Sequence, residues 1–315
     1  MSNALPSARL AQRMQSKASI LIEGLQGTGK SGLALEFAFA LEQNPEKIRV
    51  IDTENRSADL FEGLTLASGT KVGAFSKVDL LPEHGYAPSN YLALRDMAVK
   101  DGCTVCINDS ISHAWTEEQG VLQMVSILEQ ENAKVNKFSA WGNPEVMQEK
   151  SNIKSLVRDP SIHVISTVRM REKFTMNDEN KVVSEGDQQI MEATLKYEPD
   201  LVLHMVKPGT PDGEPPLAEV KKTRYAMLRK DQTYAFTKEL IAQVCEYLNE
   251  GADPEVLKER QREDYIVSIS DILKNDTSKQ TKFKMLKKNL NVSPDVKLAD
   301  MELSLLQHIY KQLAL

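Results

Sequence analysis

Apolar residues along this chain recur in two rhythms. Compact apolar runs fall at 18–23, 47–55, 103–110 and 162–168, while longer stretches with apolar positions three and four apart lie at 32–41, 89–100, 116–135 and 144–158. The first kind predicts buried strands and the second predicts helices. Strands and helices in alternation predict parallel strands joined by helical crossovers, an α/β fold with helices on both faces of the sheet. A further short strand is predicted at 71–75.

Past residue 170 the pattern changes. Residues 171–195 are polar and irregular, which predicts a long loop that is either disordered or functional. Two strands are predicted at 200–206 and 217–224, separated by a hairpin-like segment holding Pro208, Gly209, Pro211 and Gly213, so they form an antiparallel edge. A helix at 237–249 closes the domain. Gly251-Ala252-Asp253-Pro254 breaks the pattern, and three helices follow at 254–274, 279–290 and 299–313. The predicted organisation is an N-terminal extension at 1–17 with one short basic helix, an α/β domain at 18–250, and a small helical domain at 251–315.

Composition narrows the classes. With 41% hydrophobic and 27% charged residues the chain belongs with globular proteins, not with disordered or fibrous ones. No apolar run approaches a membrane span and the start lacks a signal-peptide pattern, so the expectation is a cytoplasmic protein with no membrane partner. A net charge of −6 argues against a globally basic nucleic-acid binder but leaves room for a local basic groove. The window 279–288 carries five lysines and no acid, read as a solvated helix face with nucleic-acid docking as the alternative. Three cysteines, an odd number, predict reduced thiols, and Cys103 and Cys106 read as buried strand residues. Trp115, Trp141 and His163 read as packing residues.

The strongest chemical signal is local. The strand at 18–23 runs into Gly24-Leu25-Gln26-Gly27-Thr28-Gly29-Lys30-Ser31, followed by Gly32 and a helix, which fits the G-x-x-x-x-G-K-[S/T] phosphate loop in its required context. Glycines let the backbone curl so that its N–H groups converge on phosphate oxygens, and the helix N-terminus adds partial positive charge. Lys30 is then placed for the β- and γ-phosphates of ATP and Ser31 for Mg²⁺. The strand at 103–110 ends in Asp109, the form of the second Mg²⁺-holding element. Asp52 and Glu54 end the strand at 47–55, on the side of the sheet where ligands collect.

Several segments together resemble a family. Val50-Ile51-Asp52-Thr53-Glu54 resembles the RecA-type strand end that carries the catalytic glutamate, and Ile107-Asn108-Asp109-Ser110 resembles the RecA-type Mg²⁺ element. More narrowly, 107–115, 163–173 and Lys196-Tyr197-Glu198-Pro199-Asp200 are similar to phage-encoded RecA-like ATPases of the Sak-type annealing group, over roughly residues 18–245. The resemblance implies a RecA-like P-loop NTPase core, mainly a parallel sheet flanked by helices with antiparallel edge strands, and a small C-terminal helical domain. It implies that Glu54 is the general base and Asp109 the metal residue. Lys221-Lys222-Thr223-Arg224-Tyr225-Ala226 resembles the Lys-Asn-Arg-Phe-Gly element of RadA-type relatives, with Thr223, Tyr225 and Ala226 as departures. This implies that Lys222 and Arg224 reach a neighbouring subunit's nucleotide, in a ring or filament.

The same resemblance places a DNA-contacting loop at 171–195, with Arg169, Arg171 and Lys173 as candidate phosphate contacts; Arg169 is equally placed to sense the γ-phosphate. The first expectation is therefore an oligomeric, Mg²⁺-dependent ATP hydrolase of phage or prophage recombination. Its partners would be single-stranded DNA and a single-strand-binding protein. The alternatives are an ATP-dependent protein-assembly or interaction module without DNA binding and, more weakly, a P-loop small-molecule kinase.

Overall fold

The computed structural model of the chain describes residues 11–131, 137–176, 182–210 and 212–314. Ser16–Leu248 forms one unit, and residues 11–15 group with Asn249–Leu315 in a second.

The first unit is built on a nine-stranded sheet. Its strands are β1 (Ser19–Gly24), β2 (Ile48–Asp52), β3 (Ser76–Asp79), β4 (Val105–Asp109), β5 (His163–Met176), β6 (Val182–Gln189), β7 (Leu201–Lys207), β8 (Leu217–Thr223) and β9 (Thr233–Ala235). They lie in the order β3-β2-β4-β5-β1-β7-β8-β9, with β6 paired to β5 outside this path. The first six in that order run parallel, while β8 and β9 form an antiparallel edge.

The helices of this unit are α1 (Lys30–Leu41), α2 (Pro88–Lys100), α3 (His113–Thr116), α4 (Val121–Glu131), α5 (Lys137–Trp141), α6 (Pro144–Ser155) and α7 (Lys238–Asn249). Alternation along β1 explains how they divide between the two faces. Ile20 and Ile22 join a cluster with Leu33 and Phe37 of α1 and Ile241 and Val244 of α7. Leu21 joins a second cluster with Tyr91 of α2, Val125 of α4 and Ile153 of α6. Each such fully buried side chain contributes about 1.5–3 kcal/mol, so β1 is fixed from both sides and its end is a rigid platform.

Three elements differ from expectation. The strand at 71–75 forms later, as β3, because Lys71 instead bridges Thr65 in a small turn. The helix at 116–135 is divided: α3 ends at Thr116, Gln119 takes φ 58°, and α4 begins at Val121; 132–135 lie outside the described residues. The predicted loop at 171–195 is largely a β-ribbon, in which β5 continues to Met176 and pairs with β6 in the register Arg171↔Gln188 and Lys173↔Gly186. Most of its residues are polar, with Phe174, Met176, Val182 and Val183 as exceptions, so the apolar pattern there is weak, and ladder hydrogen bonds pair the two strands.

In the second unit, α8 (Pro254–Asn275), α9 (Thr277–Asn289) and α10 (Leu303–Ala314) enclose Ile269, Met301, Leu306, Ile309 and Leu313. Asp253 and Asp276 cap α8 and α9 by accepting from the backbone N–H groups of Glu255 and Ser278, which sets where each helix starts. Residues 11–15 are extended and not helical: the Gln15 N–H donates to Ala252 O and the Ala252 N–H to Arg13 O, each at 3.0 Å. The earlier part of the predicted basic helix lies outside the described residues. No described helix is long and apolar enough to cross a membrane.

Candidate active site

The turn between β1 and α1 owes its shape to glycine. Gly27 and Gly29 take φ of 78° and 87°, a region that L side chains avoid, and a Cβ on Gly29 would lie 2.7 Å from Pro208. Within the loop, Lys30 Nζ donates to Gly24 O (3.1 Å) and Leu25 O (2.9 Å), which folds the ammonium back over the cradle. Burial pulls the Lys30 ammonium below its ordinary range, against the opposing charges of Asp109 and Glu54.

Sheet register brings the acids to this loop. Gly24 is level with Arg169 on β5, and Asp52 on β2 is level with Asp109 on β4, so the ends of β1, β2 and β4 meet Arg169, midway along β5, at one edge. Ser31 Oγ donates to Asp109 Oδ2 at 2.5 Å, and Thr167 Oγ1 donates to Asp109 Oδ1 at 2.5 Å. Burial raises the Asp109 carboxyl above the usual range even though both hydroxyls favour its charged form. A buried carboxylate joined to a hydroxyl beside a phosphate loop is a donor set suited to Mg²⁺, which takes hard oxygen ligands and few protein groups.

Asp52 has a local task. Its two carboxylate oxygens accept from the N–H groups of Glu54 (2.7 Å) and Ala58 (2.9 Å), shaping the turn that presents Glu54. That turn puts Asn55 and Arg56 at φ 56° and 64°, two consecutive non-glycine residues in the left-handed region, at a cost of about 1–2 kcal/mol each. Glu54 meets Arg169 in a two-point ion pair: Arg169 Nε donates to Oε1 at 2.7 Å and Nη2 to Oε2. Burial alone would raise the Glu54 carboxyl; the hydrogen bonds and charge of Arg169 outweigh it and hold the carboxyl below its ordinary range.

Behind this pair stands a set of residues to which no role was assigned from sequence. Thr53 Oγ1 accepts from the Ser110 N–H at 2.8 Å and lies 2.6 Å from His113 Nδ1, while Tyr91 OH donates to Ser110 O at 3.0 Å. His113 stacks on Tyr86 at 5.0 Å, and burial, helped by the charge of Arg169, lowers its pKa. The signal available was only that Thr53 sits between two acids and that His113 follows Asp109 by four residues.

The remaining predicted residues separate. Arg171 and Lys173 are exposed on the ribbon beyond Arg169, whose own guanidinium turns to Glu54 and away from them. Lys222 and Arg224 stand elsewhere: Lys222 Nζ donates to Tyr197 O at 2.5 Å and Arg224 Nη1 to Asp200 Oδ1 at 2.9 Å. Asp200 is tied to Ser19, at the opposite end of β1 from Gly24. That end is about 17 Å from the phosphate loop, five strand steps away, so Arg224 does not serve the nucleotide site of its own chain.

The packing residues pack. Trp115 and Trp141 rest on each other at 5.9 Å, and His163 Nδ1 accepts from the Ala18 N–H at 2.9 Å, its pKa lowered to about 4 by burial. Cys103 and Cys106 are free and buried, and burial pushes the Cys106 thiol up to about 12.

A family model described as an AAA domain matches residues 16–238. This span covers more than two thirds of the chain and includes the loop, Glu54, Asp109 and Arg169. The chain belongs to the AAA domain family. No curated protein matches it. The AAA domain of this chain thus carries a RecA-like α/β P-loop fold of the ATPase type, and nucleotide binding comes with it.

Proposed function

We propose that this AAA domain hydrolyses ATP with Mg²⁺, works as a ring or filament, and acts on single-stranded DNA in strand annealing or recombination. The observation that carries the hydrolytic part is the convergence of Lys30, Ser31, Asp109 and Glu54 at one end of the sheet, from three separate segments. Ser31 and Asp109 would hold Mg²⁺, which when bound offsets phosphate charge. Lys30 exchanges its loop carbonyls for phosphate oxygens, trading two neutral acceptors for charged ones. Glu54 is the group to take a proton from the attacking water, once Arg169 lets it go. Freed, the Arg169 guanidinium lies beside the loop, where it can accept the charge of the γ-phosphate.

Support for the nucleic-acid part comes from the ribbon. Arg171 and Lys173 extend along it from the residue that clamps Glu54, and its base is closed by the Ile190 N–H donating to Arg169 O at 2.9 Å. A polyanion held along the ribbon would pull on the strand that carries Arg169. For the assembly part, Arg224 is a cation at the opposite end of β1 from its own chain's phosphate loop, as a contribution to a neighbour requires. The deciding experiment is ATP turnover with and without single-stranded DNA. Stimulation supports this function, whereas a rate indifferent to DNA, together with binding of a protein partner, would replace it with a protein-directed switch.

A further inference from the structure

The lysine-rich window of the second unit lines a groove. Between the end of α8, the length of α9 and the turn that follows is a hollow of about 990 Å³, floored by Leu273, Phe283, Val292 and Pro294. Lys274, Lys284 and Lys288 are exposed around it, and no acidic residue is among those that line it. The fourth lining lysine, Lys287, is buried and spent on structure: its Nζ donates to Pro294 O (2.6 Å) and Val296 O (2.8 Å), which ties the turn to the helix. Among the described residues Lys284 and Lys288 pair with no carboxylate, and Lys274 has only Asp271 at 4.0 Å.

We propose that this groove binds an acidic peptide segment of a partner protein, with one or two large apolar side chains seated on the floor between the lysines. Charge and shape choose this occupant together. The volume sits at the top of the range of about 300–1,000 Å³ typical of ligand pockets, so more than one side chain enters. Apolar burial supplies the attraction and the lysine rim supplies the sign of the partner. A nucleic-acid strand would use the rim but leave the floor empty, since phosphates are held by cations and bases by exposed aromatic faces. Phe283 is only partly exposed, and Lys287 Nζ stands over its ring at 5.6 Å.

The test uses the full chain and a fluorescein-labelled octapeptide of sequence Asp-Asp-Phe-Asp-Leu-Asp-Asp-Phe, followed by anisotropy. Saturable binding is expected, weakened about tenfold or more by Lys284→Glu with Lys288→Glu, because charge reversal at a rim removes attraction and adds repulsion. Both lysines are exposed, so the variant keeps its fold, checked by an unchanged Tm. A matched peptide with serine in place of phenylalanine and leucine is expected to bind about tenfold more weakly or worse, the loss of the one or two apolar side chains seated on the floor. Lys30→Ala is expected to bind the acidic peptide as the wild type does, which separates this site from the nucleotide site. The inference is overturned if the serine peptide binds equally, if the lysine variant binds equally, or if a labelled oligothymidylate occupies the groove and displaces the acidic peptide.

Discussion

Arg169 and Glu54 are 115 residues apart in sequence and joined by two hydrogen bonds in space, Nε to Oε1 at 2.7 Å and Nη2 to Oε2. The pair links Arg169, midway along β5, to the turn after β2 beside the phosphate loop. It also occupies the carboxylate proposed to activate water. Both side chains are partly exposed, which limits the pair's stability contribution to about 1 kcal/mol at most. Its weight lies in where the carboxylate is held.

Lys30 and Glu54 are expected to fail differently. Lys30→Ala removes the cation that meets the phosphates, and kcat/KM should fall by about a hundredfold or more. Glu54→Gln keeps the shape of the turn and one hydrogen bond to Arg169 but cannot take a proton, so nucleotide affinity should hold while kcat falls by about 10²–10⁴-fold. Equilibrium binding of a fluorescent ATP analogue, set beside steady-state turnover, separates the two. Normal turnover by the glutamine variant would place the base elsewhere.

Arg169 also sets the pH response. Its charge holds the Glu54 carboxyl below the ordinary range, so in the folded state that group stays ionised to lower pH than in the unfolded chain. The stability from this pair is therefore present above the unfolded carboxyl value and lost as pH falls through the lowered folded value. Arg169→Ala removes the opposing charge and leaves burial, so the acid limb of kcat/KM should move to higher pH. An unmoved limb would show that a group other than Glu54 controls it.

Asp109 has the opposite sign. Burial raises its carboxyl, so the folded protein binds this proton more readily than the unfolded chain, and stability falls as pH rises through the folded value. At pH 8 the buried charge is a liability that a bound cation would relieve. Asp109→Asn is expected to keep the nucleotide-free Tm at or above that of the wild type and to abolish the further rise in Tm that ATP shows with Mg²⁺ over ATP with EDTA. Thermal melts under both conditions check this. A variant with lower nucleotide-free Tm and an intact Mg²⁺ effect would remove Asp109 from the metal site.

How much of this was legible in the sequence depended on distance along the chain. The phosphate loop, the helix it opens and the apolar strand ending at Asp109 are local patterns, and each forms where the residues indicate. The Arg169–Glu54 pair was not readable, because it exists only once β4 fixes the register between β5 and β2. Thr53 and His113 were hidden for the same reason: their contact spans 60 residues. The ribbon escaped because its few apolar residues are scattered among many polar and charged ones, a pattern too weak to set a strand apart from a loop. The groove beside α9 needed the turn at 291–294 to fold back over the helix, and only the lysine half of it was visible in advance.

Subunit exchange tests the last step of the proposed mechanism. Arg224 stands about 17 Å from the loop end of β1, at the strand's opposite end, and is held there by Asp200 at 2.9 Å. If it acts at all on a nucleotide, it acts on another chain's, and Lys222, two residues before it, is tested with it. Lys222→Ala with Arg224→Ala should then lose turnover while each chain keeps its nucleotide affinity. Chains carrying Lys30→Ala should be inactive for the complementary reason, since their cations are intact and their own loop is not. Mixed one to one and allowed to exchange, the two inactive proteins place an intact loop against intact cations at about a quarter of heterologous interfaces, and activity should return to roughly that fraction of wild type. Recovery well above zero requires a site shared between subunits. A mixture as inactive as its parents, under conditions where mass photometry shows mixed assemblies, would confine Lys222 and Arg224 to their contacts with Tyr197 and Asp200.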